Sequence, residues 1–394
     1  MRILKVMHGF PPDYMAGSEV YSYHLTTELA KQNLEVFLFT RVENQFDKDY
    51  TIYDEKINNI NIRRVNKSTR DYLYEEKFFD DNIDTLFEKY LLEVKPDIVH
   101  IGHLSHLSTN IIKIIKSHNI HIVYTIHDFW LFCVRGQLID YKGEVCEGPA
   151  IDRCMVCAGC YMVNRKIVQK VFKHMQESID MIDVFISPSH TLEYFFIAQG
   201  VPQNKIKYLK YGFEKNKIKY KKKTFNKDSK IVFGFMGRVI PTKGIKVLVE
   251  AFEDLKEKLY IYGGIGSEKR FLEKDNIIFK GSYNNNNINK VLQEIDVLIV
   301  PSTWLEKSPL VIQEAFLAGV PVITSDIGGM VELVKNGVNG FTFRVGDSQD
   351  LKRVILKITK NPTILNNLKD SRNDVVDIKD DAKEIIKIYE SLIR

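Results

Sequence analysis

Residues 296–317 read DVLIVPSTWLEKSPLVIQEAFL. The stretch begins with an unbroken apolar run, Val297–Val300, which is typical of a strand buried on both faces of a parallel sheet. A polar loop follows. Ser308 and Pro309 then indicate a helix start, because a serine hydroxyl can cap the first turn and a proline fits the first helical position. We therefore predict a strand, a loop and a helix over Pro309–Leu317.

The same alternation of apolar runs and amphipathic stretches recurs along the whole chain. The other predicted strands are Arg2–Phe10, Glu35–Thr40, Asn61–Val65, Asp97–Ile101, His121–Thr125, Asp183–Ser187, Ile231–Met236, Leu259–Tyr262, Asn276–Phe279 and Pro321–Thr324. The other predicted helices are Glu19–Gln32, Asn82–Glu93, Thr109–Ser117, Leu192–Gln199, Gly244–Asp254 and Asn286–Glu294, with a helical tail over Asp350–Arg394. This order indicates an α/β protein with parallel strands and crossover helices.

The alternation stops between Lys215 and Lys230, where eight of 16 residues are lysine. Such a segment is typical of an inter-domain linker or a solvated loop, and a basic patch on a membrane surface is the alternative. Because the pattern restarts afterwards, we predict two doubly wound parallel-sheet domains, over residues 1–212 and 213–376. We expect a ligand cleft between the carboxyl ends of the two sheets.

The composition is that of an ordinary globular protein. The chain has 394 residues, a net charge of +5 and 44% hydrophobic residues. This charge is too small for a dedicated nucleic-acid binder. No apolar run approaches the ~20 residues of a membrane-spanning helix, and Lys5, His8 and Pro11 interrupt the first apolar stretch, which does not fit a secretory signal. We expect a cytoplasmic protein, with peripheral contact at the inner membrane face as an alternative.

Two carboxylates flank the predicted helix start after the strand Val297–Val300. Glu306 falls on the loop, and Glu314 lies on the helix. A loop carboxylate can bind sugar hydroxyls and a helix carboxylate can bind a ribose diol, while the free amides of the first turn attract an anion. The alternative interpretation is a pair of solvated acids at a helix start, since two such residues often occur by chance.

Basic residues follow another predicted strand, in the segment Gly237–Gly244. Arg238 can bind a diphosphate through two nitrogen atoms, and Lys243 can act as a point charge. The alternative is that both are ordinary exposed basic residues.

Polar residues also follow strands of the first domain. Gly17, between the first strand and first helix, lets the backbone approach a ligand, or is a plain turn glycine. His127 and Asp128 follow the strand His121–Thr125, and His103 follows a neighbouring strand. These residues are candidates for contacting an acceptor, although a histidine at such a place is more often an ordinary hydrogen-bonded residue.

All five cysteines lie in one short segment, at Cys133, Cys146, Cys154, Cys157 and Cys160. Clustered thiols in a reducing compartment are typical of metal ligands, and the last three form a double C-x-x-C pattern. A structural zinc is one interpretation and an iron–sulfur cluster another. Free thiols or disulfides are the remaining alternatives.

The order of these motifs resembles that of the family 4 glycosyltransferases of the GT-B architecture, over essentially the whole chain. The most specific matches are the G-R-x4-K-G segment at Gly237–Gly244, the E-x7-E pair of Glu306 and Glu314, and the run from Ala318 to Gly329. The resemblance implies two Rossmann-like domains and transfer of a sugar, with retention of configuration and no required metal. The implied partners are a UDP- or GDP-linked sugar donor and a glycan or lipid-linked acceptor, in cell-surface polysaccharide or glycolipid biosynthesis.

The resemblance also implies roles for individual residues. Arg238 and Lys243 would hold the diphosphate, Glu306 the donor sugar and Glu314 the ribose. Further donor-side residues are Gly17, Ser282, Pro309, Leu310 and Val311, and the acceptor side has His127, Asp128 and His103. Residues 377–394 would pack back on the first domain. A non-catalytic nucleotide-sugar or glycan-binding protein stays open as an alternative, as does a glycosyl phosphorylase or sugar-phosphate enzyme on a related fold.

Overall fold

The computed structural model describes residues 1–68, 74–158, 164–264, 274–284 and 287–394. They divide into two compact units, the first comprising Met1–Phe213 with Asp377–Arg394 and the second Glu214–Val376. Both units are α/β structures with parallel sheets, so the predicted fold class is confirmed.

The first unit is built on an eight-stranded sheet. Its strands are β1 (Arg2–Met7), β2 (Glu35–Val42), β3 (Ile52–Ile57), β4 (Ile60–Asn66), β5 (Ile98–Ile101), β6 (His121–Thr125), β7 (Val184–Ser187) and β8 (Ile206–Tyr208), and the short β9 (Gly212–Phe213) lies outside the sheet. Its helices are α1 (Gly17–Lys31), α2 (Asp81–Val94), α3 (Asn110–Ser117), α4 (Ile151–Cys157), α5 (Arg165–Met181) and α6 (His190–Ala198).

The strand order of this sheet is β3-β4-β2-β1-β5-β6-β7-β8. Neighbouring strands are parallel except β3 and β4, which are antiparallel. The order reverses direction between β1 and β5, and ligands of doubly wound folds bind where the carboxyl ends of such strands meet. β5 is buried throughout in the middle of the sheet, and its one polar side chain, His100, is hydrogen-bonded to Tyr389 and Thr125.

The second unit has a six-stranded parallel sheet. Its strands are β10 (Val232–Met236), β11 (Lys258–Tyr262), β12 (Ile277–Gly281), β13 (Val297–Val300), β14 (Val322–Ser325) and β15 (Gly340–Phe343), with β16 (Val376–Asp377) at the boundary of the units. Its helices are α7 (Ile245–Ala251), α8 (Ile288–Glu294), α9 (Leu310–Ala318), α10 (Met330–Leu333) and α11 (Ser348–Lys360). The chain then forms α12 (Ile378–Ile393), which belongs to the first unit.

The order β12-β11-β10-β13-β14-β15 is the Rossmann order of strands. It reverses between β10 and β13, whose following loops carry the predicted donor-binding residues. Buried apolar side chains of the strands and of α7 and α11 form one core, including Phe233, Leu248 and Ile355. Among the described residues, no helix has both the length and the apolar character needed to cross a bilayer.

Two predictions about chain organisation were wrong. The tail is not one helix, because α11 ends before Asn361 and Pro362, and two short 3-10 helices and β16 separate it from α12. Ser308 does not cap α9, for which Pro309 is the N-cap residue.

The lysine-rich segment Lys215–Lys230 begins next to the boundary of the two units, and most of it is exposed, as expected of a solvated loop. It is attached to the second unit, since Lys223 Nζ lies 2.8 Å from Asp296 Oδ1 and Phe225 is buried in the core of that unit.

Candidate active site

The loops after β10 and β13 lie directly against each other in the second unit. Gly244 has a φ of +71°, and a Cβ atom there would lie 1.8 Å from the carbonyl oxygen of Pro301. Only glycine fits this position, because both the backbone conformation and the space exclude a side chain. The Thr303 amide also donates to the Thr242 carbonyl over 3.0 Å. These contacts fix the position of Lys243 next to the loop that carries Glu306.

Lys243 and Glu306 form the centre of this site, which we call the Glu306 cluster: Lys243, Ser302, Trp304, Glu306 and Lys307. Lys243 Nζ lies 2.5 Å from Glu306 Oε1. The Ser302 hydroxyl and the Trp304 indole each donate to the same oxygen over 2.8 Å. Lys307 adds a second cation, 3.7 Å from the centre of the Trp304 ring. The carboxylate is thus held in one orientation by three donors.

Glu306 is buried, yet its environment favours the charged form. Burial alone would raise the pKa of its carboxyl, but Lys243, Lys307 and Ser302 together lower it below the ordinary value. Opposite charges and hydrogen-bond donors stabilise a carboxylate in this way. Glu306 is therefore ionised at neutral pH.

A pair of glycines supports the same loop from the other side. The Gly329 amide donates to the Glu306 carbonyl over 2.6 Å. A Cβ atom on Gly329 would lie 1.8 Å from the carbonyl oxygen of Lys307. Close backbone approach therefore explains why Gly328 and Gly329 belong to the pattern recognised in the sequence.

The amino end of α9 presents free backbone amides. Pro309 precedes the helix in an extended conformation, and no side chain caps the first turn. The Ser308 hydroxyl instead accepts a hydrogen bond from Gln313 Nε2 over 3.1 Å. The amides of Leu310 and Val311 belong to the uncapped first turn, where the helix dipole favours an anion.

The remaining donor-side candidates are less constrained. Arg238 and Ser282 are exposed on the loops after β10 and β12. Glu314 is half-buried on α9, and burial raises the pKa of its carboxyl to about 7. Burial, and to a smaller extent the nearby Glu314 carboxylate, raises the pKa of the Tyr283 phenol. The structure thus joins Lys243 to Glu306 and leaves Arg238, Ser282 and Glu314 outside that hydrogen-bonded group.

In the first unit, His127 follows β6 and is held by a tyrosine. Its Nδ1 atom lies 2.6 Å from the Tyr211 hydroxyl. Its Nε2 atom is buried and has no hydrogen-bond partner among the described residues. Burial, followed by the nearby His103 and Lys5, lowers the pKa of His127 to about 3. The imidazole is therefore neutral at physiological pH.

His103 and Asp128 meet beside His127, as their positions after neighbouring strands predict. The Ser105 amide donates to His103 Nδ1 over 3.0 Å, which places the proton of a neutral His103 ring on Nε2. That nitrogen lies 3.2 Å from Asp128 Oδ2. The second Asp128 oxygen accepts from the Trp130 amide over 2.8 Å. Asp128 is therefore oriented by two donors.

Gly17, the first residue of α1, is exposed. Behind it, Glu19 is buried and lies 3.1 Å from Nε2 of His8. His8 in turn packs on His103, with ring centroids 4.5 Å apart. Burial, then the nearness of His103, lowers the pKa of His8. A carboxylate and two imidazoles therefore line the carboxyl ends of β1 and β5.

Several residues of both sites were not predicted from the sequence. His8 directly follows β1, so its position at a strand end was a usable signal. Trp304 and Lys307 lie within two residues of Glu306, so their closeness to the motif was a usable signal. Tyr211 carries no such signal, because it lies 84 residues from His127 in the sequence and belongs to no recognised motif.

Four of the five cysteines lie in the described part of the chain, and Cys160 lies outside it. Cys133, Cys146, Cys154 and Cys157 are free thiols. Burial, with a contribution from the other three, raises the pKa of Cys154 to about 11, so the thiols lie near one another. No group of three or more potential ligands among the described residues is arranged to hold a metal ion. A structural zinc or an iron–sulfur cluster stays a prediction.

Two family models together cover nearly the whole chain. The model for glycosyltransferase family 4 matches residues 15–215, and that for glycosyl transferases group 1 matches residues 216–374. The chain therefore belongs to glycosyltransferase family 4, as the sequence motifs predicted.

Individual relatives agree with this assignment. An uncharacterized glycosyltransferase of Methanocaldococcus jannaschii is 23% identical over 99% of this chain and 98% of its own. The UDP-Gal:alpha-D-GlcNAc-diphosphoundecaprenol alpha-1,3-galactosyltransferase of Escherichia coli is 28% identical over 42% of this chain and 46% of its own. Sucrose-phosphate synthase of Thermosynechococcus elongatus has a similar fold, with a TM-score of 0.73 and 17% identity over 99% of this chain and 98% of its own. The predicted GT-B fold is confirmed.

Proposed function

We propose that this glycosyltransferase transfers a sugar from a nucleotide-sugar donor to a glycan or lipid-linked acceptor, with retention of anomeric configuration and without a required metal ion. The observation that carries the proposal is the Glu306 cluster at the switch point of the second sheet, next to the uncapped start of α9. Such sites bind nucleotides in doubly wound folds. The name of the Escherichia coli relative, with its UDP-linked donor and diphosphoundecaprenol acceptor, supports the assignment to cell-surface polysaccharide or glycolipid biosynthesis.

The proposed chemistry depends on stabilising the leaving group. When the bond between the sugar C1 and the diphosphate oxygen breaks, negative charge grows on the diphosphate. Lys243, the exposed Arg238 and the amides that start α9 supply positive charge from the protein itself. The acceptor oxygen attacks C1 from the same face, and its proton passes to a diphosphate oxygen. Removing one electrostatic donor of this type typically lowers the rate by about 100- to 1,000-fold.

The carboxylates and histidines have separate roles in this proposal. Glu306, kept ionised and oriented by Lys243, accepts hydrogen bonds from donor-sugar hydroxyls. Glu314 binds the ribose diol. In the first unit, His127, Asp128 and His103 face the acceptor, where oriented hydrogen-bonding groups suit sugar hydroxyls.

Calorimetric titration with UDP, GDP and ADP, followed by a panel of nucleotide sugars, tests the proposal. We expect one nucleotide to bind and its sugar derivative to be hydrolysed slowly without acceptor. Addition of EDTA should leave that rate unchanged, and the product anomer, read by proton NMR, should match that of the donor. Absence of binding by all three nucleotides contradicts the proposal. Binding without turnover of any donor, in the presence of lipid-linked acceptors, favours a non-catalytic binding protein.

A further inference from the structure

The hydrogen bond between Tyr211 and His127 joins two neutral groups. Tyr211 is buried, with 5% of its surface exposed, and His127 is half-buried. Burial raises the pKa of the Tyr211 phenol well above its ordinary value, and burial lowers the pKa of His127 to about 3. The 2.6 Å contact is therefore a hydrogen bond from a phenol to an imidazole, or the reverse, with no charge on either.

The direction of this bond decides which proton is left without an acceptor. Among the described residues, His127 is the polar group within hydrogen-bond reach of the Tyr211 hydroxyl. If His127 Nδ1 donates, the buried phenol proton has no acceptor, and if Tyr211 donates, the buried proton on Nε2 has none. We infer that Tyr211 donates to Nδ1, because the unpaired proton then lies on Nε2, at the strand ends where a ligand oxygen can accept it.

The Nε2 atom lies where a ligand is expected in a doubly wound fold. It is buried with no partner in the part of the chain that the structure describes. Gly102 directly follows β5, and a Cβ atom at that glycine would lie 3.4 Å from Nε2. Nε2 is therefore located between the carboxyl ends of β5 and β6. A buried N–H without an acceptor is a place that a ligand oxygen can satisfy.

Tyr211 is itself held in position by α12. Its neighbour Gly212 donates its amide to Asp381 Oδ2 over 2.9 Å. The Tyr21 hydroxyl donates to the same oxygen over 2.9 Å. The Tyr21 ring packs on the Tyr211 ring, with centroids 4.0 Å apart. A Cβ atom on Gly212 would lie 2.7 Å from the Cα of Ile378 in α12, so the two backbones are in close contact.

We propose that Tyr211 is a positioning residue that fixes His127 with its proton on Nε2, and that Asp381 of α12 holds Tyr211 in place through Tyr21 and the Gly212 amide. Nε2–H then donates to an oxygen of the sugar ligand in the first unit. This last step rests on the proposed function. The tautomer and its dependence on Tyr211 can nevertheless be measured in the free protein, without any ligand.

The test is the variant Tyr211→Phe, which removes one hydroxyl and keeps the ring. In protein labelled with 15N-histidine, the His127 signals are assigned by their loss in His127→Gln. We expect wild-type His127 to be the Nε2–H tautomer, and Tyr211→Phe to shift a substantial fraction to Nδ1–H. Tyr194→Phe is the matched control, because Tyr194 is 65% exposed. An unchanged His127 tautomer in Tyr211→Phe overturns the proposal.

Activity provides the second readout. With the donor found by screening, we expect Tyr211→Phe to lower kcat by about 3- to 10-fold, the effect of one neutral hydrogen bond, and to leave the KM for the donor within about twofold. An equal loss in Tyr194→Phe, or a change in KM alone, contradicts the positioning role. If no donor is turned over by the wild type, the proposed function fails while the tautomer result still stands.

Variants of Asp381 test the connection to α12. Asp381→Asn keeps an oxygen that can accept from Tyr21 and Gly212, so the His127 tautomer should stay as in the wild type. Asp381→Ala removes that oxygen and should shift the tautomer in the same direction as Tyr211→Phe. Circular dichroism and the Tm identify a variant that has failed to fold, in which case Tyr21→Phe, which removes one of the two bonds to Asp381, replaces it. A wild-type tautomer in all of these folded variants contradicts the role of α12.

Discussion

The Glu306 cluster and the surroundings of His127 occupy equivalent places in their own sheets, yet they handle charge in opposite ways. Both lie at the carboxyl ends of strands near a reversal of strand order. At Glu306, burial is overcome by two lysines, and the carboxyl stays ionised. At His127, burial prevails, and the imidazole stays neutral. The same topology therefore places an ionised carboxylate at one site and a neutral imidazole at the other, and we name the charged site and the neutral site after these two groups.

The difference matches the two kinds of ligand in the proposed reaction. A diphosphate carries charge that grows during the reaction, so it gains from fixed cations and a helix start. An acceptor hydroxyl is neutral, and it gains from oriented hydrogen-bond partners that need no counter-ion. Raising the ionic strength should therefore weaken nucleotide binding more than acceptor binding.

Removing the cation of the charged site should have the largest effect. Lys243→Ala takes away a cation proposed to bind the diphosphate and leaves the buried Glu306 without its ion-pair partner. We expect kcat for donor hydrolysis to fall by about 100- to 1,000-fold. Lys246→Ala is the control, because this lysine lies on the adjacent helix with 70% of its side chain exposed. Equal kinetics of both variants would contradict the proposal that Lys243 stabilises the leaving diphosphate electrostatically.

The next largest effect should come from the loop contact that builds the charged site. In Gly244→Ala, the new methyl group meets the Pro301 carbonyl at 1.8 Å in a backbone with φ of +71°. We expect a loss of at least about 3 kcal/mol in the free energy of unfolding, from the clash together with the backbone strain.

Gly346→Ala separates the two causes in that experiment. Gly346 has a φ of +75° with no atom within 4 Å of the added Cβ, so it reports backbone strain alone. We expect this control to lose about 1 kcal/mol in urea unfolding. Similar losses for the two variants would show that the contact with Pro301 is unimportant.

Much of the fold was predictable because buried parallel strands have a distinctive pattern. β6 and β13 have the predicted bounds, since Ile122–Tyr124 and Val297–Val300 are continuous apolar runs in the middle of a sheet. β3 was missed, because an edge strand of sequence IYDEKI is largely exposed and has no such run. The break after α11 depends on Asn361 and Pro362, and a prediction from apolar periodicity alone does not take these residues into account.

The site was predictable residue by residue but not as a geometry. Motif and position indicated Lys243 and Glu306, yet their ion pair joins residues 63 positions apart and depends on the contact of Gly244 with Pro301. Tyr211 was not predictable, because its role comes from a ring and a backbone amide held by a helix from the other end of the chain.

A smaller effect is expected at the neutral site. His127→Ala removes a proposed hydrogen bond to the acceptor but no charge, so we expect kcat to fall by about 10-fold. Nucleotide affinity, measured by calorimetry, should stay within about twofold, and His127→Gln should recover part of the rate through its amide N–H. A loss of nucleotide affinity beyond that range would contradict the separation of a charged and a neutral site.

The smallest effect should appear at Glu314. This residue lies in the same unit as the charged site, but burial favours its neutral form, as it does for His127. Burial raises its pKa from 4.5 to about 7, so the folded protein holds this proton more tightly than the unfolded chain. The stability of the wild type should therefore fall as the pH rises through that window, whereas Glu314→Gln has no proton to lose there. We expect the stability of Glu314→Gln relative to wild type to increase by about 1 kcal/mol between pH 5 and pH 8 in urea unfolding, after allowance for partial solvent access. Glu250→Gln, with the side chain of Glu250 44% exposed, controls for loss of a glutamate charge on a helix. A relative stability of Glu314→Gln that falls with pH would show that Glu314 is stabilised as a carboxylate, like Glu306.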